Sequence, residues 1–405
     1  MNAIGRRAVI LGGGIMGACV AILLAKRGVE VSLFDKESAP LAGASRWNEG
    51  KIHLGYLYGA DPSMETARRL IPGGLLFGRI MSEILGGDVR PHTSSEDDIF
   101  LIHKQSVADA ETLRAQFAAV SELVRAHVDS RWYLTDASGA RAWELSRPEL
   151  SAISDPAEIV AAFAVPERSV STQWVADRLV DALSSEPRVS VHTGVTISAA
   201  RPIDSADGPW RVVGTPHLDE RFDLVINALW DGRLAIDCTA GLELEPGWSH
   251  RYRLSLFART SRSLSTRSAL IAVGPFGDVK NYNGRDFYLS WYPTGLIAEG
   301  QDTSLSRPDP LSPEEEQEFV RQVGSMLTKV IPGAADILAV AENVKVRGGF
   351  IFAQGKGSLS DPQSTLHRRD RFGVRRLGNY FSIDTGKYST APLMAAHLVR
   401  DICGD

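Results

Sequence analysis

The sequence contains only three cysteines among its 405 residues, Cys19, Cys238 and Cys403. They lie far apart and form neither a C-x-x-C pair nor the spacing of a metal site. This argues against a disulfide framework and against a cysteine-ligated metal centre, and we expect no bound metal. So few thiols suit a reducing compartment, and the sequence therefore predicts a cytoplasmic location.

The chain also lacks a long hydrophobic run. The apolar stretch around residues 18–24 is too short to span a bilayer and is closed by Lys26 and Arg27. A glycine-rich segment lies so close to Met1 that we expect no signal peptide before it. The sequence therefore predicts no transmembrane segment.

An excess of positive charge is missing as well. The chain has 44 Lys and Arg against 49 Asp and Glu, which gives a formal net charge of −5. There is no basic stripe, so nucleic acid is not an expected partner. The length is sufficient for two domains and a large core.

The most informative stretch that is present is AVILGGGIMGACVAILLAKRGVEVSLFD, residues 8–35. It begins as a short apolar run, typical of a buried parallel strand, and continues as G-x-G-x-x-G. Gly12 allows a tight strand-to-helix turn, Gly14 lets the main chain approach a pyrophosphate, and Gly17 lets the helix pack on the strand. This pattern predicts a dinucleotide site.

The remainder of this unit follows the same pattern. The N-terminus of the helix would direct N–H groups and partial positive charge at a phosphate. Gly28 is placed to end the helix, and residues 29–34 form a second strand that Asp35 ends. The Asp35 carboxylate would accept the ribose hydroxyls of an adenine nucleotide. The alternative is a glycine-rich turn in some other α/β protein.

Hydrophobic periodicity predicts elements between this unit and the middle of the chain. A helix starts at Asp61-Pro62 and is broken by Pro72-Gly73-Gly74 before residues 75–85. Residues 98–103 predict a strand, and residues 107–128 predict an amphipathic helix.

The hydrophobic pattern of the second half of the chain changes near His250. Before it, a helix capped by Ser171 or Thr172 and three apolar strands resemble a nucleotide domain; the strands cover residues 189–199, 210–214 and 222–229. After it, alternating aromatic-rich strands suit an antiparallel sheet. A capping box at residues 312–315 starts a helix. The chain ends with a strand (380–383), a glycine turn (384–388) and a helix (389–400).

These segments together resemble flavoproteins of the D-amino-acid oxidase superfamily, which includes glycine oxidase and the glycerol-3-phosphate and L-2-hydroxyglutarate dehydrogenases. The loop NEGKIHLGYLY, residues 48–58, is similar to the hydroxyglutarate dehydrogenase pattern N-S-G-V-I-H-A-G-I-Y-Y. Residues 223–228 are similar to the strand that ends V-N-A-A-G. Residues 384–390, DTGKYST, are similar to the G-G-K-x-T-T turn at the flavin N1–C2=O edge.

The resemblance implies FAD as cofactor and a set of contacts to it along the chain. FAD is expected to be non-covalent, because Trp47 and Asn48 occupy the positions where relatives carry a linking histidine. The residues implied in cofactor binding are Gly12, Gly14, Ile15, Met16, Gly17, Asp35, Lys36, Ser45, Asn48, Gly50, Lys51, Ile52, Ala228, Gly386, Lys387, Tyr388 and Ser389.

The sequence departs from the family pattern at two places. Leu229-Trp230 replaces the usual Ala-Gly after Asn227-Ala228, which predicts a narrower or differently shaped pocket floor. Glu49 replaces a small residue in the N-S-G turn.

Three residues are predicted to be catalytic. His53 would act as a base or orient the substrate, although a structural histidine packed near the cofactor is an equally good interpretation. Lys387 would stabilise negative charge near N1 of reduced flavin, or else lie exposed in its turn. Arg347 would clamp a carboxylate or phosphate, lining the cavity together with Lys51, or else pair with a surface acid.

Tyr56 and Tyr288 are predicted substrate contacts, with the alternative that they form core or pocket wall. The predicted reaction is transfer of a hydride to flavin N5 from a C–H that bears an amine or a hydroxyl group, in a small polar, anionic substrate. The alternatives are a flavin monooxygenase or a dinucleotide-binding protein without turnover. No second G-x-G-x-x-G is present, so electrons are expected to leave to oxygen or another acceptor.

The predicted fold class is α/β, or α+β overall, with a Rossmann-like FAD domain and an antiparallel-sheet substrate domain. The FAD domain is predicted to be discontinuous, over residues 1–84, 156–245 and 340–405. The substrate domain is predicted over residues 85–155 and 246–339.

Overall fold

The computed structural model describes residues 5–404. Its strands in chain order are β1 (Arg7–Leu11), β2 (Glu30–Asp35), β3 (Lys51–Ile52), β4 (Asp98–His103), β5 (Trp143–Glu144), β6 (Ile159–Val165), β7 (Arg168–Ser169), β8 (Val189–Thr193), β9 (Thr196–Pro202), β10 (Trp210–Thr215), β11 (Leu218–Phe222), β12 (Leu224–Asn227), β13 (Ser249–Thr260), β14 (Ala269–Ala272), β15 (Gly277–Asn281), β16 (Asp286–Trp291), β17 (Leu296–Gly300), β18 (Ala341–Ala353), β19 (Gly373–Leu377) and β20 (Tyr380–Asp384).

The α-helices within the same range are α1 (Ile15–Lys26), α2 (Glu65–Leu85), α3 (Ala110–Ala126), α4 (Arg147–Ser151), α5 (Thr172–Ser185), α6 (Arg233–Ala240), α7 (Tyr292–Gly295), α8 (Pro313–Val330), α9 (Gly333–Ala339) and α10 (Ala391–Cys403). Ser171 caps α5, and the predicted capping box starts α8 at Ser312. The predicted strand at 98–103 is β4, and α3 lies within the helix predicted at 107–128.

A six-stranded sheet organises the nucleotide half of the molecule. Its strand order is β19-β20-β12-β1-β2-β8, and all strands are parallel except the edge strand β19. Side chains alternate across β1. Ala8 and Ile10 pack with α1, α5 and α10, whereas Val9 and Leu11 pack against the β9–β11 sheet and α6. Both faces are thus buried, which explains why β1 is apolar throughout.

A nine-stranded sheet forms the second half. Its order is β17-β13-β16-β15-β14-β4-β6-β5, with β18 paired to β13, and only the β4–β14 pairing is parallel. One face, which includes Leu256 and Leu289, packs against α8 and α9. The opposite face, which includes Phe100 and Phe163, packs with α2 and α3. The predicted fold class, a parallel nucleotide sheet with a second and largely antiparallel sheet, is confirmed.

The predicted break at Pro72-Gly73-Gly74 is wrong, because α2 is continuous over this stretch. A Cβ on Gly73 would lie 2.8 Å from Thr390 Cγ2, and a Cβ on Gly74 would lie 2.2 Å from the His53 carbonyl oxygen. The glycines therefore serve close packing rather than helix termination.

The strand predicted at residues 189–199 is also divided. Gly194, with φ of +70°, separates β8 in the six-stranded sheet from β9 in the three-stranded sheet. The period-two pattern continues across the turn, so it does not show that the chain changes sheets.

The nine-stranded sheet includes β6 and β18. Both strands fall within ranges that the predicted boundaries assign to the FAD domain, 156–245 and 340–405. Within residues 5–404, no helix combines the length and the apolar character that crossing a membrane requires.

Gly74→Ala should destabilise the protein by about 1–3 kcal/mol, because its methyl group would overlap the His53 carbonyl. Gly78→Ala is the matched control in the same helix, since its Cβ would lie 3.1 Å from the flexible end of Leu134. Chemical denaturation of both variants measures the difference. If Gly74→Ala is as stable as Gly78→Ala, the close approach does not constrain the fold.

Candidate active site

The glycine motif forms a closed turn between β1 and α1. Gly12 has φ of +99°, and a Cβ there would lie 2.6 Å from the Ala228 carbonyl oxygen. A Cβ on Gly17 would lie 1.9 Å from the Gly12 oxygen. No larger residue fits at either position, so the helix starts directly at the end of the strand.

Asp35 lies across this turn at the end of β2. Its carboxylate accepts hydrogen bonds from the N–H groups of Gly13 (2.6 Å) and Glu37 (2.8 Å). Burial raises the pKa of Asp35, and these backbone bonds oppose the shift. Beside it, Lys36 Nζ lies 2.8 Å from Asp231.

The loop after β2 covers the first turn of α1. Ser45 Oγ accepts the N–H of Ile15 at 2.9 Å. The Asn48 side chain donates to the Ala44 carbonyl and accepts from Gly50 N–H, both at 2.8 Å. These hydrogen bonds hold the loop beside the N-terminus of α1, where Gly14 is the N-cap residue and Met16 lies in the first turn.

A second turn, over residues 384–390, lies near the His53 segment. Gly386 has φ of +67° and donates its N–H to Asp384 at 2.9 Å. Lys387 Nζ lies 5.4 Å from the ring centre of Tyr58, and the His53 ring lies 6.0 Å from the same ring. The structure therefore brings the predicted catalytic residues His53 and Lys387 together around Tyr58.

The remaining residues predicted to contact the cofactor near this turn or the His53 segment are buried or partly buried. Ile52 and Ser389 are fully buried, Ala228 is nearly so, and Tyr388 packs its ring 5.8 Å from that of Phe77. Burial raises the pKa of Tyr388 far above its usual value.

His53 is almost completely buried, and its Nδ1 atom has no hydrogen-bond partner in the described protein. Burial lowers the pKa of His53 well below its usual value, and the positive charges of Lys387, Lys51 and Lys280 lower it further. At neutral pH the imidazole is therefore uncharged and able to accept a proton or a hydrogen bond.

Lys51 does not point at this turn. Its ammonium group is buried against Asp98, lies 3.7 Å from Glu167 Oε2 and 4.7 Å from the ring centre of Phe100. Burial acts to lower the pKa of Lys51, but Asp98 and Glu167 outweigh it and raise the pKa. The expectation that Lys51 lines the cavity does not match this placement, because β3 turns its side chain into the core.

The side chains of Arg347 and Tyr56 have partners other than His53 and Lys387. Arg347 is on the edge strand β18, its side chain is half exposed, and its guanidinium lies 3.2 Å from Glu316. Tyr56 is fully buried and its hydroxyl lies 2.9 Å from Ser121 Oγ. Their surroundings correspond to the alternatives of a surface ion pair and a core tyrosine.

The face of the nine-stranded sheet that includes Phe100 and Phe163 also holds polar residues that the sequence patterns did not single out. Arg251 and Arg253 alternate on β13, so they share a face with Ser255, whose hydroxyl lies 3.0 Å from that of Tyr288. Arg251 is 4% exposed and donates to the Tyr292 hydroxyl at 2.8 Å.

Burial lowers the pKa of Arg251, and Arg369 lowers both this pKa and that of His53. Arg253 lies 4.3 Å above the ring of Tyr292. The sequence pattern that indicates this pair is the alternation R-Y-R at residues 251–253, which places both arginines on one side of a strand. Which side faces the His53 segment depends on how the two sheets pack.

Trp230 occupies the position where the family pattern has glycine. It has φ of +58°, its indole N–H donates to the Phe350 carbonyl at 2.8 Å, and its ring meets Phe352 edge-on at 6.1 Å. The side chain therefore binds β18 and leaves the main-chain conformation typical of glycine in place.

These residues fit FAD. The glycine cradle leaves no space for a side chain, while the first turn of α1 offers N–H groups to a diphosphate. His53 Nδ1 and Ser389 Oγ are buried polar atoms without a protein partner in the described chain, and flavin ring atoms can supply one. Residues 12–17 and 35 would hold the adenosine diphosphate, and residues 48–53 and 386–389 would hold the flavin. Among residues 5–404, no group of three or more metal-ligating side chains is arranged to bind a metal ion.

A family model described as FAD dependent oxidoreductase matches residues 7–359. A sequence comparison with curated proteins gives no match.

Solved structures share the fold over nearly the whole chain. Glycine oxidase from Geobacillus kaustophilus is 17% identical with a TM-score of 0.64, covering 98% of this chain and 95% of that one. L-proline dehydrogenase from P. horikoshii is 16% identical with a TM-score of 0.65, covering 100% and 94%. L-alpha-glycerophosphate oxidase from Mycoplasma pneumoniae, with FAD bound, is 12% identical with a TM-score of 0.63, covering 99% and 95%.

The buried His53 predicts a pH dependence of stability. Its pKa in the folded state lies well below the ordinary value of 6.5. Between these two values the unfolded chain binds a proton that the folded chain does not, so stability falls as the pH is lowered from about 7. His53→Gln should reduce this slope by up to about 1.4 kcal/mol per pH unit.

Urea denaturation at several pH values, with FAD in excess, measures both slopes. Above pH 7.5 the wild type and His53→Gln should have the same slope, which is the internal control. Equal slopes between pH 5 and 6.5 would contradict an uncharged, buried His53.

Proposed function

The chain belongs to the family of FAD dependent oxidoreductases, and from this premise we propose that it oxidises a small anionic molecule at a carbon that bears an amine or a hydroxyl group. FAD, when bound, supplies the acceptor of the hydride at its N5 atom. The chain itself supplies the groups that bind the substrate and accept its proton.

The observation that carries the proposal is a pair of neighbouring cations, one buried and one half-buried, that form no ion pair, although the charge of Arg253 acts on the buried Asp278. Among the described residues, neither Arg251 nor Arg253 forms an ion pair with a carboxylate, and each has a buried Nε without a partner. A buried charge without a partner costs several kcal/mol. An anionic group on the substrate would offset that cost, which is why we assign the anion site to these arginines rather than to Arg347.

His53 supports the chemical part of the proposal. Because its pKa is depressed, the imidazole is uncharged at neutral pH and can take a proton from a substrate ammonium or hydroxyl group as the C–H bond is oxidised. Both kinds of substrate are compatible with this arrangement. Lys387, close to Tyr58, would stabilise the negative charge that develops on the cofactor side.

The names of the structural neighbours agree with an anionic substrate. Glycine, L-proline and glycerophosphate each carry a carboxylate or a phosphate at neutral pH. We infer the same charge class for this chain, without assigning one of these compounds to it.

Arg251→Ala should weaken substrate binding or flavin reduction by more than tenfold, because loss of the cation leaves the bound anion unpaired at a cost of about 2–5 kcal/mol. Arg251→Lys should restore activity only in part, since an ammonium group cannot hold the anion bidentately. The measurement is the anaerobic loss of flavin absorbance on addition of amino and hydroxy acids, with FAD content determined for each variant.

Arg347→Ala in the same assay separates the two possible clamps. With the anion at Arg251, we expect Arg347→Ala to change the apparent affinity by less than threefold, because its partner Glu316 is on the surface. If Arg347→Ala loses activity and Arg251→Ala does not, the site predicted from the sequence is the correct one and our assignment fails.

A further inference from the structure

The main chain around His53 is held by a buried carboxylate from another part of the chain. Glu167 Oε1 accepts the N–H of Leu54 at 2.5 Å and lies 3.4 Å from the N–H of Tyr56. Both contacts connect residues more than a hundred positions apart. Glu167 therefore fixes the segment immediately after His53.

The position of Glu167 follows from the pairing of two short strands. In the antiparallel β3–β7 ladder, Ile52 is opposite Arg168. The next pair in this register would be His53 and Glu167. At this position the Glu167 carboxylate, rather than a main-chain carbonyl, accepts the Leu54 N–H. A side chain thus replaces the next main-chain hydrogen bond of the ladder.

The preceding residue is held as well. The Tyr133 hydroxyl donates to the Ile52 carbonyl at 2.7 Å and accepts the N–H of Arg168 at 2.8 Å. Tyr133 is 3% exposed. The main chain is thus tied on both sides of His53.

Glu167 belongs to a closed cluster of charges. It is fully buried, and Lys51 lies between it and Asp98, which also accepts from Lys280 Nζ at 2.6 Å. Burial raises the pKa of Glu167, while the charge of Lys51 opposes this shift. Burial lowers the pKa of Lys280 to about 8.

A buried ionised cluster is costly, and hydrophobic residues of similar volume would often be at least as stable. Its presence next to the Leu54 amide is therefore better explained by the conformation that it imposes. A displacement of about 1 Å at a reacting group can cost about a hundredfold in rate.

We propose that Glu167 is a positioning residue for His53: its carboxylate binds the amides of Leu54 and Tyr56 and thereby directs the imidazole toward Tyr58 and Lys387. In this role Glu167 acts on the reaction through the position of His53 and not through contact with substrate or cofactor. The inference rests on the proposed role of His53 at the flavin site.

The test uses two measurements that require no turnover. Hydrogen exchange of the segment 51–58, followed by mass spectrometry, reports on the Leu54 and Tyr56 amides in the FAD-loaded and FAD-free protein. NMR spectra of protein labelled in its histidine rings report on His53, with His53→Gln to assign the signal. Because no substrate is needed, failure of the proposed function would not be mistaken for failure of this inference.

Glu167→Ala should speed exchange at these amides by more than tenfold and shift the His53 ring signal. Glu167→Gln should restore both toward wild type, since its amide carbonyl can still accept the Leu54 N–H. If Glu167→Ala does not fold, Glu167→Asp replaces it in the test. Aspartate keeps the negative charge, but its side chain is one methylene shorter and its carboxylate lies farther from the Leu54 N–H. Glu158→Ala, at a partly exposed glutamate paired with His103 and Lys104, is the control and should change neither measurement.

A lower melting temperature with unchanged amide exchange and an unchanged His53 signal would overturn the proposal, because Glu167 would then be structural only. Equal effects of Glu167→Ala and Glu167→Gln would also overturn it, since the charge and not the hydrogen bond to Leu54 would then be the cause.

Discussion

Helix α2 connects the two parts of the proposed flavin site through a pair of adjacent glycines. Gly73 lies against Thr390 at the end of the 384–390 turn, and Gly74 lies against the carbonyl of His53. A side chain at either position would separate the helix from one part of the site. The distance between His53 and Lys387 therefore depends on the packing of helix α2, and the depressed pKa of His53, which Lys387 helps to lower, depends on the same packing.

Buried charge is the second constraint on the site. Lys51, Lys280, Asp98 and Glu167 form a buried cluster of two cations and two anions, whereas the guanidinium groups of Arg251 and Arg253 form no ion pair with a carboxylate within residues 5–404. The buried Asp278 interacts electrostatically with both Lys280 and Arg253. A closed cluster fixes geometry, because removing one member leaves another unpaired. A buried cation that forms no ion pair instead creates a position that an anionic ligand can fill. The two kinds of buried charge thus suggest two roles, positioning for the first and substrate binding for the second.

The sequence was informative where short-range geometry determines the structure. The turn at residues 12–17, the carboxylate at Asp35 and the capping box at Ser312 each depend on a few neighbouring residues, and the structure has all three. The directions of long side chains depend on partners that are distant in sequence. Lys51 on β3 points to Asp98 at the start of β4, in a different sheet, and Arg347 on the edge strand β18 turns to Glu316 on α8. Neither partner can be identified from the local pattern, and the same holds for Arg251, whose surroundings arise from the packing of two sheets.

In the proposed mechanism, the substrate is selected by its negative charge before its C–H bond is oxidised. The most direct measurement compares each acid that reduces the wild-type flavin anaerobically with its primary amide, in which the acid group no longer carries a charge, over the same concentration range. We predict that the acid reduces the flavin with at least tenfold higher efficiency, and that this preference decreases at high ionic strength to a limited extent, because the arginines are largely buried. Equal efficiencies for the acid and the amide, or a neutral amine as the best substrate, would contradict selection by charge.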